Sequence, residues 1–197
     1  MCGRYYVEID DKELRDICEE IQKKQREEEN PEQLEIKFSG EIFPTDIVPV
    51  IAGTNKYLPM RWGFTGFDKR PLINARSETA LMKATFREHM RNRRCLVPAS
   101  GYYEWKREGS KKIKHRIYVP DEPIYMAGCY RQEQGELLPR FVILTKAAGQ
   151  GLEEIHDRMP VIVPNEYAGE WLSGNVEHSF TFVLTINNQG CIICREE

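Results

Sequence analysis

Met1-Cys2-Gly3-Arg4-Tyr5-Tyr6-Val7-Glu8-Ile9 opens the chain, and from Gly3 to Ile9 it alternates and is rich in Tyr and Val. A period of two carried by β-branched and aromatic residues is the pattern of a strand. This strand holds Cys2 at its very start, so a sheet anchors the cysteine. If Met1 is removed, Cys2 becomes the N-terminus and presents a 1,2-aminothiol. An α-amine titrates near ~8 and a thiol near ~8.5, so around neutral pH both have a reactive fraction on one two-carbon unit. An aldehyde meeting such a group forms an imine with the amine, and the thiol then closes a five-membered thiazolidine. Taken alone, Cys2 also reads as a small hydrophobe in a chain whose first strand starts early.

Working outward, Asp10 and Asp11 read as caps of an acidic helix with Leu14, Ile17, Cys18 and Ile21 on one stripe and Pro31 at its end. Short β-rich stretches follow over residues 47–52 and 57–64, and Ser77 is the expected N-cap of a helix running to about Met90. Further strands are expected near residues 95–97, 102–105, 113–119, 124–130, 140–145, 161–163 and 180–186. A short helix opens near Pro164-Asn165 and closes at Trp171-Leu172, with Ser173-Gly174-Asn175 as its stop. Many short strands with few helices predict an α+β fold with a β-barrel-like mixed-sheet core and peripheral helices, as a single domain over residues 1–197.

With 41% apolar and 30% charged residues, the chain of 197 residues has the composition of a folded globular protein rather than a disordered one. It shows no secretory leader pattern and no run of ~18 apolar residues. No membrane partner is therefore expected, and the cytoplasm or, in a eukaryote, the nucleus is the expected location. There Cys2, Cys18, Cys95, Cys129, Cys191 and Cys194 stay reduced. Cys191-Ile-Ile-Cys194 has no second CxxC or His pair beside it and reads as a terminal strand, so no metal and no cofactor is expected. Charge is unevenly spread: residues 8–35 carry net −7, whereas residues 61–116 carry net +10. Such segregation permits a phosphate-binding face on an acidic protein, although charge runs also serve simply as solvated faces.

Several polar residues stand in apolar settings. Asn74 and Arg76 lie just before a helix N-terminus, where free N–H groups attract anions, or they are a turn residue and a surface cation. Glu104, between aromatics in Gly101-Tyr-Tyr-Glu-Trp105, is either a desolvated proton donor or a surface carboxylate on an edge strand. His156 and Arg158 sit in Ile155-His-Asp-Arg-Met-Pro160 at a turn entering a strand, and imidazole suits proton transfer at neutral pH. Trp62, beside Arg61, reads as a surface for stacking an unpaired base or as core.

Met1-Cys-Gly-Arg4, Met60-Arg-Trp-Gly-Phe64, Ile73-Asn-Ala-Arg-Ser-Glu-Thr79, Arg94-Cys-Leu-Val-Pro98, Gly101-Tyr-Tyr-Glu-Trp105, Ala127-Gly128 and Ile155-His-Asp-Arg-Met-Pro160 occur in this order. Together they resemble the SOS-response-associated peptidase (SRAP) family, from Cys2 to about Val163. The resemblance implies a monomer that recognises abasic sites in single-stranded DNA, including single-strand/double-strand junctions, and joins itself to them covalently. It implies Cys2 as the crosslinking residue, with Asn74, Glu104 and His156 lining the site. It implies Arg4, Arg76, Arg158 and Thr145 as DNA contacts, and Trp62 stacked near the lesion. A lyase side activity and a cysteine peptidase activity, with Cys2 as nucleophile and His156 as base, are the accompanying expectations, and a non-covalent reader of modified bases is a third. The chain departs from the family pattern at Thr145-Lys-Ala-Ala-Gly149, where a customary Asn is missing, around residues 112–117, and in its tail.

Overall fold

The computed structural model describes residues 2–8, 12–27, 35–53, 56–149, 151–185 and 192–197. Strand β1 (Tyr5–Val7) leads to helix α1 (Lys12–Glu27), then to β2 (Gly40–Ile42), β3 (Ile47–Ala52) and β4 (Lys56–Trp62). A small hairpin of β5 (Phe64–Thr65) and β6 (Pro71–Leu72) precedes β7 (Asn74–Arg76) and helices α2 (Ser77–Ala80) and α3 (Ala84–Asn92). The longer strands β8 (Arg94–Ala99), β9 (Gly101–Glu108), β10 (Lys111–Tyr118), β11 (Ile124–Arg131) and β12 (Arg140–Ala147) follow. The chain continues through β13 (Arg158–Pro160), a 3-10 turn (Asn165–Tyr167), α4 (Ala168–Ser173), α5 (Val176–Thr185) and β14 (Ile193–Glu196).

One sheet runs β11-β8-β3-β4-β12, and because β11 also pairs with β12 these strands close into a ring. The α+β expectation with a barrel-like core therefore holds. A second sheet, ordered β14-β10-β9-β1-β2, packs against the ring. Between them lies a buried cluster containing Cys2, just before β1, with Tyr5, Tyr102 and Ile117 of the second sheet and Met60, Trp62, Phe141 and Ile143 of the ring. A second cluster, with Ile17, Ile21, Met90, Trp171, Phe180 and Val183, seats the helices on Leu96, Val142 and Leu144. Burying both clusters is the main driving force for the fold.

Arg94 hangs part of the helical layer on the ring. Its guanidinium donates to the carbonyl oxygens of Trp171, Met90 and Gly174, and its plane faces the Trp171 ring. These are orphan acceptors at the ends of α3 and α4, which the helices cannot satisfy themselves.

Four expectations need correction. Residues 180–185, expected as strand, form the second half of α5. Asn175, read as part of a stop, also starts the next helix, since its Oδ1 accepts the His178 N–H at 3.0 Å. Phe180 and Val183 then reach the core at helical spacing, and tertiary burial overrides the β propensity of the Phe-Thr-Phe-Val run. Ser77 is the first residue of α2 rather than a cap, and extended Lys83 divides the expected helix into α2 and α3. Residues 161–163 lie beside β11 through two main-chain bonds, but the paired strand is three residues earlier, at β13. The Cys191–Cys194 strand is present as β14; Cys191, like Asp10, Asp11 and Pro31, lies outside the described residues.

Replacing Arg94 with Met keeps the stem but strips three carbonyls, two of them buried, of their donor. Thermal or urea unfolding should show a loss of about 3 kcal/mol. A loss under ~1 kcal/mol would mean that the helical layer is held by apolar packing alone.

Candidate active site

Gly101 begins the construction. A Cβ there would run into the Tyr6 hydroxyl and the Ile117 carbonyl, so only glycine lets β9 press between β1 and β10. Tyr102 and Glu104, two residues apart, then face inward. The Tyr103 N–H donates to the Arg4 carbonyl at 2.9 Å and continues the β1–β9 ladder to the residues just before β1. Cys2 is thereby placed within the electrostatic reach of Tyr102 and Glu104.

Asn74 reaches Cys2 from the other sheet. It heads β7, which pairs in parallel with β12, and its Nδ2 donates to the Cys2 carbonyl at 2.8 Å. Its Oδ1 is buried with no hydrogen-bond partner among the described residues. His156 comes from the β12–β13 loop, and its Nε2 stands 4.0 Å from Glu104 Oε2. The sequence candidates Cys2, Asn74, Glu104 and His156 thus converge from four separate segments.

Desolvation sets their protonation. Glu104 is 4% exposed, and burial raises it to about 7 against the positive charge of the N-terminus, with a smaller contribution from the Asp157 carboxylate. Burial lowers His156 below its ordinary value, with the positive N-terminus and, less strongly, Arg158 adding to the shift and Asp157 opposing it. The usual order of a carboxyl and an imidazole is therefore inverted, and Glu104 still holds a proton at a pH where His156 has lost one. Two contacts make opposite demands on His156 Nδ1: the Arg158 backbone N–H donates to it at 3.0 Å, while Asp157 Oδ1 lies 2.8 Å away. Asp157 is 81% exposed, so water screens that pair, and the main-chain bond decides the tautomer. The neutral ring accepts at Nδ1 and carries its proton on Nε2, toward Glu104. The Cys2 thiol is fully buried, and burial, reinforced by the Glu104 carboxylate, lifts it far above the ordinary thiol value. It is held as a thiol, not a thiolate.

Glu104 and His156 open onto a cleft of about 540 Å³, also lined by Arg4, Trp105, Arg107 and Lys112. Its charged wall is basic, and Lys112 stands directly opposite Arg107 across the β9–β10 ladder.

The family model for SOS response associated peptidase (SRAP) matches residues 1–189. The chain belongs to this family. Among its relatives, the abasic site processing protein YedK of Escherichia coli is 44% identical over 58% of this chain and 54% of its own length. YoqW of Bacillus subtilis, also named an abasic site processing protein, is 34% identical over 88% of this chain and 80% of its own length. The chain thus spans little more than half of YedK. A solved structure from Bacteroides thetaiotaomicron has a TM-score of 0.72 at 28% identity, covering 79% of this chain and 76% of that one. One from Bordetella bronchiseptica shares the fold at a TM-score of 0.78 and 21% identity, covering 100% of this chain and 99% of that one.

In this SRAP chain two expected DNA contacts are corrected by burial. Trp62 is 0% exposed, stacked on Phe141 and bonded through Nε1 to the Ile73 carbonyl, so it offers no face to a base. Thr145 is also 0% exposed, with Oγ1 toward the Ala75 carbonyl. Arg158 commits its guanidinium to Glu78 and the Thr145 carbonyl. Arg4 lines the cleft, paired with Glu41 at 3.2 Å and lying over Phe43 and Trp105, and Arg76 is exposed on β7.

Sequence reasoning missed Trp105 as the cleft aromatic, with Arg107 and Lys112 beside it. It also passed over Phe67, fully exposed at the tip of the β5–β6 hairpin beside Lys69 and Arg70. The signal for Trp105 was its place directly after Glu104; that for Phe67 was Gly66 and Asp68 marking a turn.

Two outcomes follow. A carboxyl raised on folding costs stability above its unfolded pKa, because the folded state then holds a proton the unfolded chain has released. Glu104→Gln should therefore stabilise the protein at pH 8, by up to about 3 kcal/mol, and the gain should vanish near pH 4. Thermal melts of both proteins across that range decide it; a gain independent of pH would refute the raised carboxyl. Trp62→Ala should cost about 3–5 kcal/mol in urea unfolding, as loss of a core indole does. A fully stable Trp62→Ala protein with weakened DNA binding would restore the stacking role.

Proposed function

We propose that this chain processes abasic sites in single-stranded DNA by forming a covalent thiazolidine through Cys2 once Met1 has been removed. The observation that carries the reading is the convergence of Cys2, Asn74, Glu104 and His156, of which Glu104 and His156 open onto a cleft walled by Arg4, Arg107, Lys112 and Trp105. The naming of its SRAP relatives as abasic site processing proteins supports it. So does the exposed Arg76, two residues beyond Asn74 on the same strand.

The abasic deoxyribose opens from its hemiacetal to an aldehyde: protonated Glu104 donates to the ring oxygen, and its carboxylate takes the proton that the C1′ hydroxyl releases, which restores the acid. The Cys2 amine adds to C1′, with Asn74 Oδ1 accepting one of its N–H groups and orienting the lone pair. The carbinolamine loses water to give the imine, Glu104 supplying the proton to the leaving hydroxyl. The Cys2 sulfur then bonds to the imine carbon, the thiol proton passes to the nitrogen, and the ring closes with net loss of one water. A thiol held protonated by burial suits this order, amine first and sulfur second. Left unclosed, the imine favours β-elimination at C3′, which would be the lyase side reaction.

The cysteine peptidase reading asks more of the site. It needs a thiolate, and both burial and the Glu104 carboxylate oppose one at Cys2. A passive reader of modified bases needs the cleft but not Cys2.

The decisive test begins with the intact mass, to confirm loss of Met1. The protein is then mixed with a single-stranded oligonucleotide bearing one abasic site. The expected product is protein plus DNA minus one water, stable without borohydride. Absence of that adduct from a correctly processed chain would overturn the reading. Cys2→Ala should still give a borohydride-trapped imine but no heat-stable adduct; a stable adduct from it would sink the thiazolidine.

A further inference from the structure

Arg158 links two parts of the site that come from different segments. Its guanidinium donates to both oxygens of Glu78, at 2.5 and 2.9 Å, and to the Thr145 carbonyl at 2.7 Å. Its backbone N–H holds His156 Nδ1 at 3.0 Å. Glu78 stands in α2, which continues directly from β7 and so from Asn74. Thr145 is the point on β12 where both β7 and β13 pair, opposite Arg76 and Pro160. The side chain of one residue is therefore fixed to the Asn74 segment while its main chain fixes the imidazole.

We propose that Glu78 is a positioning residue for His156: by clamping Arg158 it keeps His156 in the tautomer that presents Nε2–H to Glu104, in register with Asn74. The inference rests on the crosslinking function for its kinetic consequence, though not for its structural one. The geometry is favourable, because a bidentate guanidinium–carboxylate pair fixes direction as well as distance. The Arg158 side chain is only 11% exposed, so the pair is shielded on that side from the screening that weakens most surface ion pairs. Glu78 is held below the ordinary carboxylate range, chiefly by its bond to Arg158, and stays charged wherever the site operates.

The groups facing His156 are Glu104 from β9, Asp157 from its own loop, Arg158 from β13 and the positive charge of the N-terminus, with Arg4, Arg107 and Lys112 lining the same cleft. Of these, Arg158 is the cation in main-chain contact with the ring, and Glu78 neutralises it. Removing the Glu78 charge leaves that cation uncompensated, which disfavours the imidazolium further. The direction of the effect is thus set: His156 titrates at lower pH, and the ring is freed to sample its other tautomer.

The experiment compares wild type, Glu78→Gln and Glu78→Asp in three readouts. Nitrogen chemical shifts of the His156 ring report tautomer and titration midpoint without any DNA. Affinity for an oligonucleotide carrying a tetrahydrofuran site, which has no aldehyde, reports binding alone. Single-turnover crosslinking to a true abasic site, taken from pH 5 to 9, reports the reaction. For Glu78→Gln the expected result is a midpoint lowered by about half a unit and a mixed tautomer. Its crosslinking should be about ten-fold slower with the pH profile displaced the same way, and its affinity within two-fold. Glu78→Asp, which keeps the charge, should return the midpoint to the wild-type value. An unchanged His156 in Glu78→Gln would overturn the proposal, as would a rate loss accounted for by weaker tetrahydrofuran-site binding. If wild type forms no adduct while His156 still responds to Glu78, the crosslinking function falls and the positioning of His156 stands.

Discussion

Exclusion of water from the inner face of β9 is the constraint on which the site depends. It raises Glu104, lowers His156 and keeps the Cys2 sulfur protonated, and in each case burial is the largest cause. In water the same three groups would be a carboxylate, a half-charged imidazole and a partly ionised thiol, with no carboxyl able to donate a proton. No single residue creates this dryness. It comes from packing one sheet on a closed ring, so the chemistry of the site is a property of the tertiary fold.

The same packing leaves polar atoms unsatisfied around Cys2. The hydroxyls of Tyr5 and Tyr102 and the Oδ1 of Asn74 are all buried without hydrogen-bond partners among the described residues. Native interiors rarely tolerate such atoms, and a concentration of them beside one reactive residue marks a place organised for something other than stability. Asn74 illustrates the division of labour. Its amide nitrogen secures the Cys2 backbone, and its amide oxygen remains available to a donor.

Much of this was legible in the sequence, for definite reasons. Strands such as Ile47–Ala52 and Ile124–Arg131 carry dense β-branched and apolar runs between turn residues, and the structure forms them nearly as read. Cys2, Asn74, Glu104 and His156 could be singled out because each places a reactive group in an apolar or turn context where packing alone does not call for one. What sequence could not supply was orientation. Trp62 and Trp105 both follow or flank charged residues, yet one is sealed against Phe141 and the other lines the cleft, and only the sheet pairing distinguishes them. Arg158 was likewise readable as a cation but not as one already committed to Glu78, a partner 80 positions away. The failure at residues 180–185 was of another kind: local propensity favoured a strand, while the Asn175 cap and burial against Trp171 favoured a helix.

The ring of strands also decides where this molecule is vulnerable to its own kind. A closed sheet has no rim of free N–H and C=O groups, so five strands that would otherwise be strong templates for self-association are neutralised by topology. The second sheet is open, and one of its borders is β14, whose Arg195 and Glu196 are exposed charges on the outermost strand. Beneath it lies β10, eight residues long, whose pairing groups β14 occupies. Among the described residues β14 thus serves as a polar selvedge: it covers the border of β10 and leaves a short, charged edge in place of a long adhesive one.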